Sequence, residues 1–130
     1  MIKEECTICI VDDDVSLSRA LARLLRSTGF RNVSTFPSAE DFMETAPAKT
    51  CSILILDLQL PGMSGLELLH HLRTSGRSLP IILISAHDEE LRRARDANGQ
   101  WAAFLHKPFE ETELISVIST LTARCSPASA

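Results

Sequence analysis

A chain of 130 residues with 45% hydrophobic content fits one compact domain able to bury a core. Its formal charge of −4 arises from 13 basic and 17 acidic residues, divided 6 against 9 in the first 65 positions and 7 against 8 in the rest, so neither half is a charged tail and no dedicated nucleic-acid surface is expected. Apolar runs such as "ILIL" and "IILI" fall far short of the ~18 residues of a membrane span, and the opening "MIKEECTICIV" lacks a signal-peptide layout. A cytoplasmic protein without membrane contact is therefore the expectation.

In chain order, "TICIV" from Thr7 predicts a first strand, preceded and occupied by Cys6 and Cys9. That C-x-x-C spacing admits a metal reading, but residues three apart on a strand face opposite ways and no second pair follows, so zinc is disfavoured. Asp14 then reads as the N-cap of a first helix, against the alternative of a ligand. Leu17, Ala20, Leu21, Leu24 and Leu25 predict its buried face, Arg19, Arg23 and Arg26 its solvent face, and Gly29 its end.

"VSTF" from Val33 predicts a second strand, and Ser38 with Asp41 a cap opening a second helix that buries Ala39, Phe42 and Met43. "SILIL" from Ser52 is a third strand, "GLELLHHL" a third helix and "PIILIS" from Pro80 a fourth strand. A fourth helix, "ELRRARDAN", has only Leu91, Ala94 and Ala97 to bury, so weak docking and high mobility are expected of it. "AAFLH" from Ala102 predicts a fifth strand. A fifth helix from Thr112 carries Leu114, Ile115, Val117, Ile118 and Leu121, and residues 123–130 read as a tail or the start of a linker. Cys51 and Cys125 read as isolated thiols.

Five βα units with continuously apolar strands argue for an α/β fold with a parallel sheet covered on both faces. In such sheets ligands gather beyond the carboxyl ends of the strands. The first strand ends in Asp12 and Asp13, the third in Asp57, the fourth in Ser85 and the fifth in Lys107. Given a strand order of 2-1-3-4-5, these tips are neighbours. Clustered carboxylates raise one another's pKa unless a cation neutralises them, and an all-oxygen set suits magnesium. A carboxylate nucleophile, a metal, an ammonium and a hydroxyl together describe a site for a phosphoryl group on Asp57.

With "VDDD", "LILDLQLPGMSG", "ILISA" and "FLHKPF" in this order, residues 6 to 122 resemble the receiver domain of two-component response regulators. The resemblance implies a flavodoxin-like doubly wound fold with a five-stranded sheet of order 2-1-3-4-5 and five helices, over a domain of residues 1–122. It implies that Asp57 accepts phosphate from a sensor histidine kinase. Asp12, Asp13 and the backbone carbonyl of Gln59 would then hold Mg2+ with Asp57, Lys107 would bind phosphoryl oxygens, and Ser85 and Phe104 would be paired switch residues. A cis Lys107-Pro108 bond is common in that family. Phe104 also reads as core on its apolar character alone. "SAEDFM" resembles receivers that continue into a helix-turn-helix domain, so DNA contact through an output domain and a homodimer formed on phosphorylation are implied for the whole regulator. Such a domain is a switch, catalysing only its own phosphorylation and dephosphorylation.

Gln100 and Trp101 stand where the family has Gly-Ala, and Trp101 is read either as a reporter of the switch or as a core filler. Two other classes remain in view. An aspartate-nucleophile phosphatase would need a general acid two residues after Asp57, where Gln59 stands. A flavin binder would need a Gly- and Ser/Thr-rich phosphate cradle, which the strand-end loops lack.

Overall fold

The computed structural model describes residues 5–45, 50–75, 79–89, 92–93 and 103–124. Five strands, β1 (Thr7–Val11), β2 (Asn32–Phe36), β3 (Ile53–Asp57), β4 (Ile81–Ser85) and β5 (Ala103–His106), form one sheet of order β2-β1-β3-β4-β5. Every pairing is parallel. Four helices lie among the described residues: α1 (Val15–Ser27), α2 (Ala39–Glu44), α3 (Gly65–Thr74) and α4 (Glu111–Arg124).

Strand alternation explains why both faces are covered. Ile8 and Ile10 of β1, Ile53 and Ile55 of β3, and Ile82 and Ile84 of β4 pack with Leu21 and Leu25 of α1 and Leu114, Ile118 and Leu121 of α4. The intervening Cys9, Val11, Leu54, Leu56, Ile81 and Leu83 pack the other way, with Phe42 of α2 and Leu68, Leu69 and Leu72 of α3. Each such aliphatic side chain removed from water contributes about 1.5–3 kcal/mol, and β3 and β4 are buried along their whole length. Cys6 and Cys9 are both buried and belong to opposite faces, so they fill the core rather than converge on a metal.

The helix ends obey their sequence signals. Asp14 caps α1, accepting the Leu17 N–H at 3.1 Å. At the other end Phe30 N–H returns to the Leu25 carbonyl and Gly29 N–H to that of Arg26, a closure that needs the left-handed Gly29, at φ 111°. Ser38 caps α2, accepting the Asp41 N–H at 3.1 Å. At α3 the Ser64 hydroxyl accepts the Glu67 N–H while the Glu67 carboxylate accepts that of Ser64, a reciprocal box that the S-x-x-E spacing signals.

Three burial expectations are corrected. In α1 the buried stripe is Ser18, Leu21, Ala22 and Leu25, whereas Ala20 is exposed. With Leu17 and Leu24, Ala20 lines an apolar groove of about 410 Å³ bounded by Pro108 and Phe109. Met43 is 45% exposed, because the six-residue α2 turns only Ala39 and Phe42 inward. Phe104, read as core, is 37% exposed on the edge strand β5. The predicted fourth helix falls largely outside the described residues, with positions 92 and 93 helical. Leu91, Ala94, Ala97, Gln100, Trp101 and Cys125 also lie outside them. Helix α4 runs to Arg124, two residues beyond the predicted end of the domain. No helix among the described residues is long and apolar enough to cross a membrane.

Candidate phosphoacceptor site

Ladder hydrogen bonds continue past the strand ends and fix the first residues beyond them. Asp12 N–H donates to the Phe36 carbonyl at 3.1 Å, Leu58 N–H to that of Ile84 at 3.0 Å, and Lys107 N–H to that of Ser85 at 2.8 Å. The alternation that turns Ile8, Ile10, Ile53 and Ile55 toward α1 and α4 turns Asp12 and Asp57 the same way. Both carboxylates are nearly inaccessible, at 1% and 4% residue exposure.

Lys107 reaches across from β5 to both of them. Its Nζ donates to Asp12 Oδ2 and to Asp57 Oδ2, each at 3.0 Å. The remaining oxygens are held by backbone: Asp14 N–H donates to Asp12 Oδ1 at 2.9 Å and Gln59 N–H to Asp57 Oδ1 at 3.0 Å. The Lys107-Pro108 peptide is cis. Asp13, exposed, completes a trio in which one carboxylate oxygen each from Asp12, Asp13 and Asp57 lies within 4.8 Å of the others. An open groove of about 820 Å³ lies over this floor, lined by Asp13, Asp57, Gln59, Pro61, Ser64 and Lys107 among others.

Electrostatics follow from this geometry. Desolvation pushes the Asp12 carboxyl above its ordinary range, and the nearby Asp57 charge adds to that, against the Asp14 and Lys107 hydrogen bonds. Desolvation pulls Lys107 down, but its bonds to Asp12 and Asp57 outweigh it, and the ammonium is held above its ordinary value. Three acidic groups thus face one ammonium. An all-oxygen set with surplus negative charge fits a hard divalent cation, and Asp13, on the exposed side, opens it to solvent.

The structure therefore brings together Asp12, Asp13, Asp57 and Lys107 and places Gln59 beside them. Ser85 stands fully buried at the end of β4, but its hydroxyl is engaged with the loop beyond that strand. It accepts the His87 N–H at 3.0 Å and donates to the His87 carbonyl at 3.3 Å. Phe104 lies on the exposed edge of the sheet, in β5, and is not among the residues that line the groove. Two residues that matter for the site's shape are absent from the candidates drawn from sequence. Gly65 presses on β3, since a Cβ there would collide with the Asp57 carbonyl oxygen and approach Leu58 Cα to 2.5 Å. Glu40 of α2 accepts the Met63 N–H at 3.0 Å, 23 residues away. A glycine directly after the capping serine, inside the S-x-x-E box, signals the first; nothing local signals the second.

Both the sequence and the fold are similar to those of known proteins. The sequence profile of the family described as "Response regulator receiver domain" matches residues 8–119. The chain is 38% identical over 120 residues to the response regulator protein TmoT of Ectopseudomonas mendocina, covering 92% of this chain and 54% of that protein. It is 36% identical over 112 residues to the transcriptional regulatory protein FixJ of Rhizobium meliloti (strain 1021), covering 86% of this chain and 54% of that one. The chain thus spans about half the length of these relatives. Among solved structures, TrrA of Thermotoga maritima in complex with Mg(2+)-BeF superposes with a TM-score of 0.78 at 25% identity, over 89% of this chain and 98% of that one.

Proposed function

The chain belongs to the response regulator receiver domains, and from that premise we propose that it is a phosphorylation switch whose acceptor is Asp57. The observation that carries the assignment is the Lys107 ammonium placed 3.0 Å from both Asp12 and Asp57, on the floor of an open groove. In this reading an Asp57 carboxylate oxygen attacks the phosphorus of a phosphohistidine on a sensor kinase. The new O–P bond forms as the P–N bond breaks, and the imidazole leaves with the electron pair and takes up a proton. Lys107 gives up one carboxylate contact to hold a phosphoryl oxygen, and the Ser85 hydroxyl leaves His87 to donate to another.

Asp12, Asp13, Asp57 and the Gln59 carbonyl would hold Mg2+, which offsets the charge of the carboxylates and the incoming phosphoryl group. The similarity to TrrA, whose structure is a complex with magnesium and beryllofluoride, supports this choice of ion. Movement of Ser85 would leave space for Phe104 to turn inward, reshaping the face of the predicted fourth helix, β5 and α4 toward a homodimer or a partner domain. The similarity to FixJ, a transcriptional regulatory protein, supports transcription as the output, carried by a part of the regulator outside this chain. A cytoplasmic site of action goes with a kinase donor of that kind.

Labelled acetyl phosphate tests the assignment. With Mg2+ the wild type is expected to take up one phosphoryl group per chain, lost on chelation of the metal and in Asp57→Asn. Label at wild-type level in Asp57→Asn overturns it.

A further inference from the structure

The loop between β3 and α3, residues 58–64, carries Gln59, and its two ends are tied down by backbone. Leu58 N–H donates to the Ile84 carbonyl at 3.0 Å, and Gly65 N–H to the Leu58 carbonyl at 3.1 Å. Its apex is Pro61-Gly62-Met63. Among the described residues, the hydrogen bond that reaches this apex from another element comes from Glu40, whose Oε2 accepts the Met63 N–H at 3.0 Å. The backbone is shaped to receive that carboxylate. Gly62 is left-handed at φ +71°, and a Cβ there would collide with Glu40 Oε2 and come within 3.3 Å of its Cδ. Glycine makes the left-handed turn without strain, and its lack of a Cβ leaves the Glu40 carboxylate, the end of a flexible side chain, undisturbed.

Glu40 itself is anchored. It lies in the first turn of α2, which Ser38 caps and which Ala39 and Phe42 fix to the sheet. The side chain is exposed, yet its carboxyl is held below the ordinary range, first by the Met63 N–H. An exposed carboxylate free in water has no reason to depart from its usual value.

We infer that Glu40 is a positioning residue for the acceptor site: its carboxylate clamps the apex of the 58–64 loop and so holds the Gln59 backbone beside Asp57. The inference rests on the proposed reading of Asp57 and its metal. Gln59 N–H already fixes Asp57 Oδ1 at 3.0 Å, so the same short segment orients the acceptor carboxylate and presents the carbonyl assigned to the metal. Releasing the apex lets the carbonyl drift, while the Leu58 tie to Ile84 keeps the Gln59 N–H against the acceptor carboxylate. The expected signature is a weaker metal site with an undamaged acceptor, because Glu40 touches neither phosphoryl group nor ion.

The test uses the whole chain with Glu40→Ala and Glu40→Gln. Calorimetric titration with MgCl2, without phosphodonor, is expected to show roughly tenfold weaker binding in Glu40→Ala, the scale on which outer partners of metal ligands act. Glu40→Gln keeps a carbonyl oxygen able to accept the Met63 N–H and is expected to recover most of that loss. Acetyl phosphate labelling at saturating Mg2+ is expected to reach the wild-type rate in both. Amide exchange at Met63 is expected to be faster in Glu40→Ala, at an unchanged melting temperature. Wild-type magnesium affinity in Glu40→Ala overturns the clamp and leaves the assignment of Asp57 standing. A wild type that binds no Mg2+ overturns the metal reading, and the clamp's role with it.

Discussion

At the scale of single residues, Asp12 and Lys107 have opposite electrostatic signs of strain. The Asp12 carboxyl is raised, chiefly by desolvation, so the fold binds its proton more tightly than the unfolded chain does. Its ionisation therefore costs stability at neutral pH, and the cost is relieved as pH falls through the raised value. The Lys107 ammonium is also raised, against desolvation, by its two carboxylate bonds. Its contribution is fully present below the ordinary lysine value of 10.5 and is lost as pH climbs through the folded value. In metal-free buffer at pH 7, Asp12→Asn is expected to melt higher, by about 4 °C if about 1 kcal/mol is recovered. Asn keeps an oxygen for the Asp14 N–H, so the cap of the acidic loop survives. Lys107→Met is expected to melt lower, because two buried carboxylates lose their counter-charge, with much of the loss restored by millimolar Mg2+. Thermal melts of the three proteins with and without the ion decide this; a destabilised Asp12→Asn would contradict the dominance of desolvation. These residues were legible in the sequence because each follows an apolar strand, where alternation determines which way it turns. Glu40 was not, because a glutamate in a first helical turn already has a reason to be there in the helix dipole.

Among the elements, α3 begins where β3 leaves off, and Gly65 is the point of contact. A methyl group at this position meets the Asp57 carbonyl oxygen and Leu58 Cα, both backbone, so the helix must retreat or the acceptor strand must shift. Gly65→Ala is expected to cost about 1–3 kcal/mol, the range for overpacking a tight contact, and to slow acetyl phosphate labelling at saturating Mg2+. Ser64→Ala, one position earlier, removes the cap at a cost of ~1 kcal/mol and is expected to label at the wild-type rate. Denaturant melts paired with labelling separate the two; equal labelling of both variants would mean that Gly65 does not govern the acceptor strand. Strand positions were readable to within one residue, since buried parallel strands are short continuous apolar runs bounded by polar residues. Helix faces were less so. At 100° per residue a one-step error in phase exchanges Ala20 for Ala22, and the six-residue α2 is too short for periodicity to show that Met43 turns outward.

For the whole molecule, the strand order could not be derived from apolar runs alone, since parallel βα units of similar length can be wound in more than one order; it came with the family resemblance. Phe104 marks the same limit. Its apolar character places it in the core on any local argument, yet β5 is an edge strand and leaves the ring 37% exposed. Two further features belong to this edge: His106 Nε2 lies 3.1 Å from Asp88 Oδ1, and Ser85 is bonded to His87 in the intervening loop. On the proposed reading, a phosphoryl group that drew the Ser85 hydroxyl away would break both bonds to His87, next to Asp88. On that reading the Phe104 ring and the His106–Asp88 pair would then rearrange together, at an energy of a few hydrogen bonds. With Mg2+ and beryllofluoride, the wild-type chain is expected to shift from monomer toward dimer in sedimentation velocity, and Ser85→Ala to remain monomeric while still binding the mimic. Phe104→Ala is expected to bind the mimic normally and also to stay monomeric, because the acceptor is intact but the face it reshapes has lost its ring. Dimerisation of Phe104→Ala at wild-type strength would separate the β5 edge from the output of the switch, leaving the chemistry at Asp57 untouched.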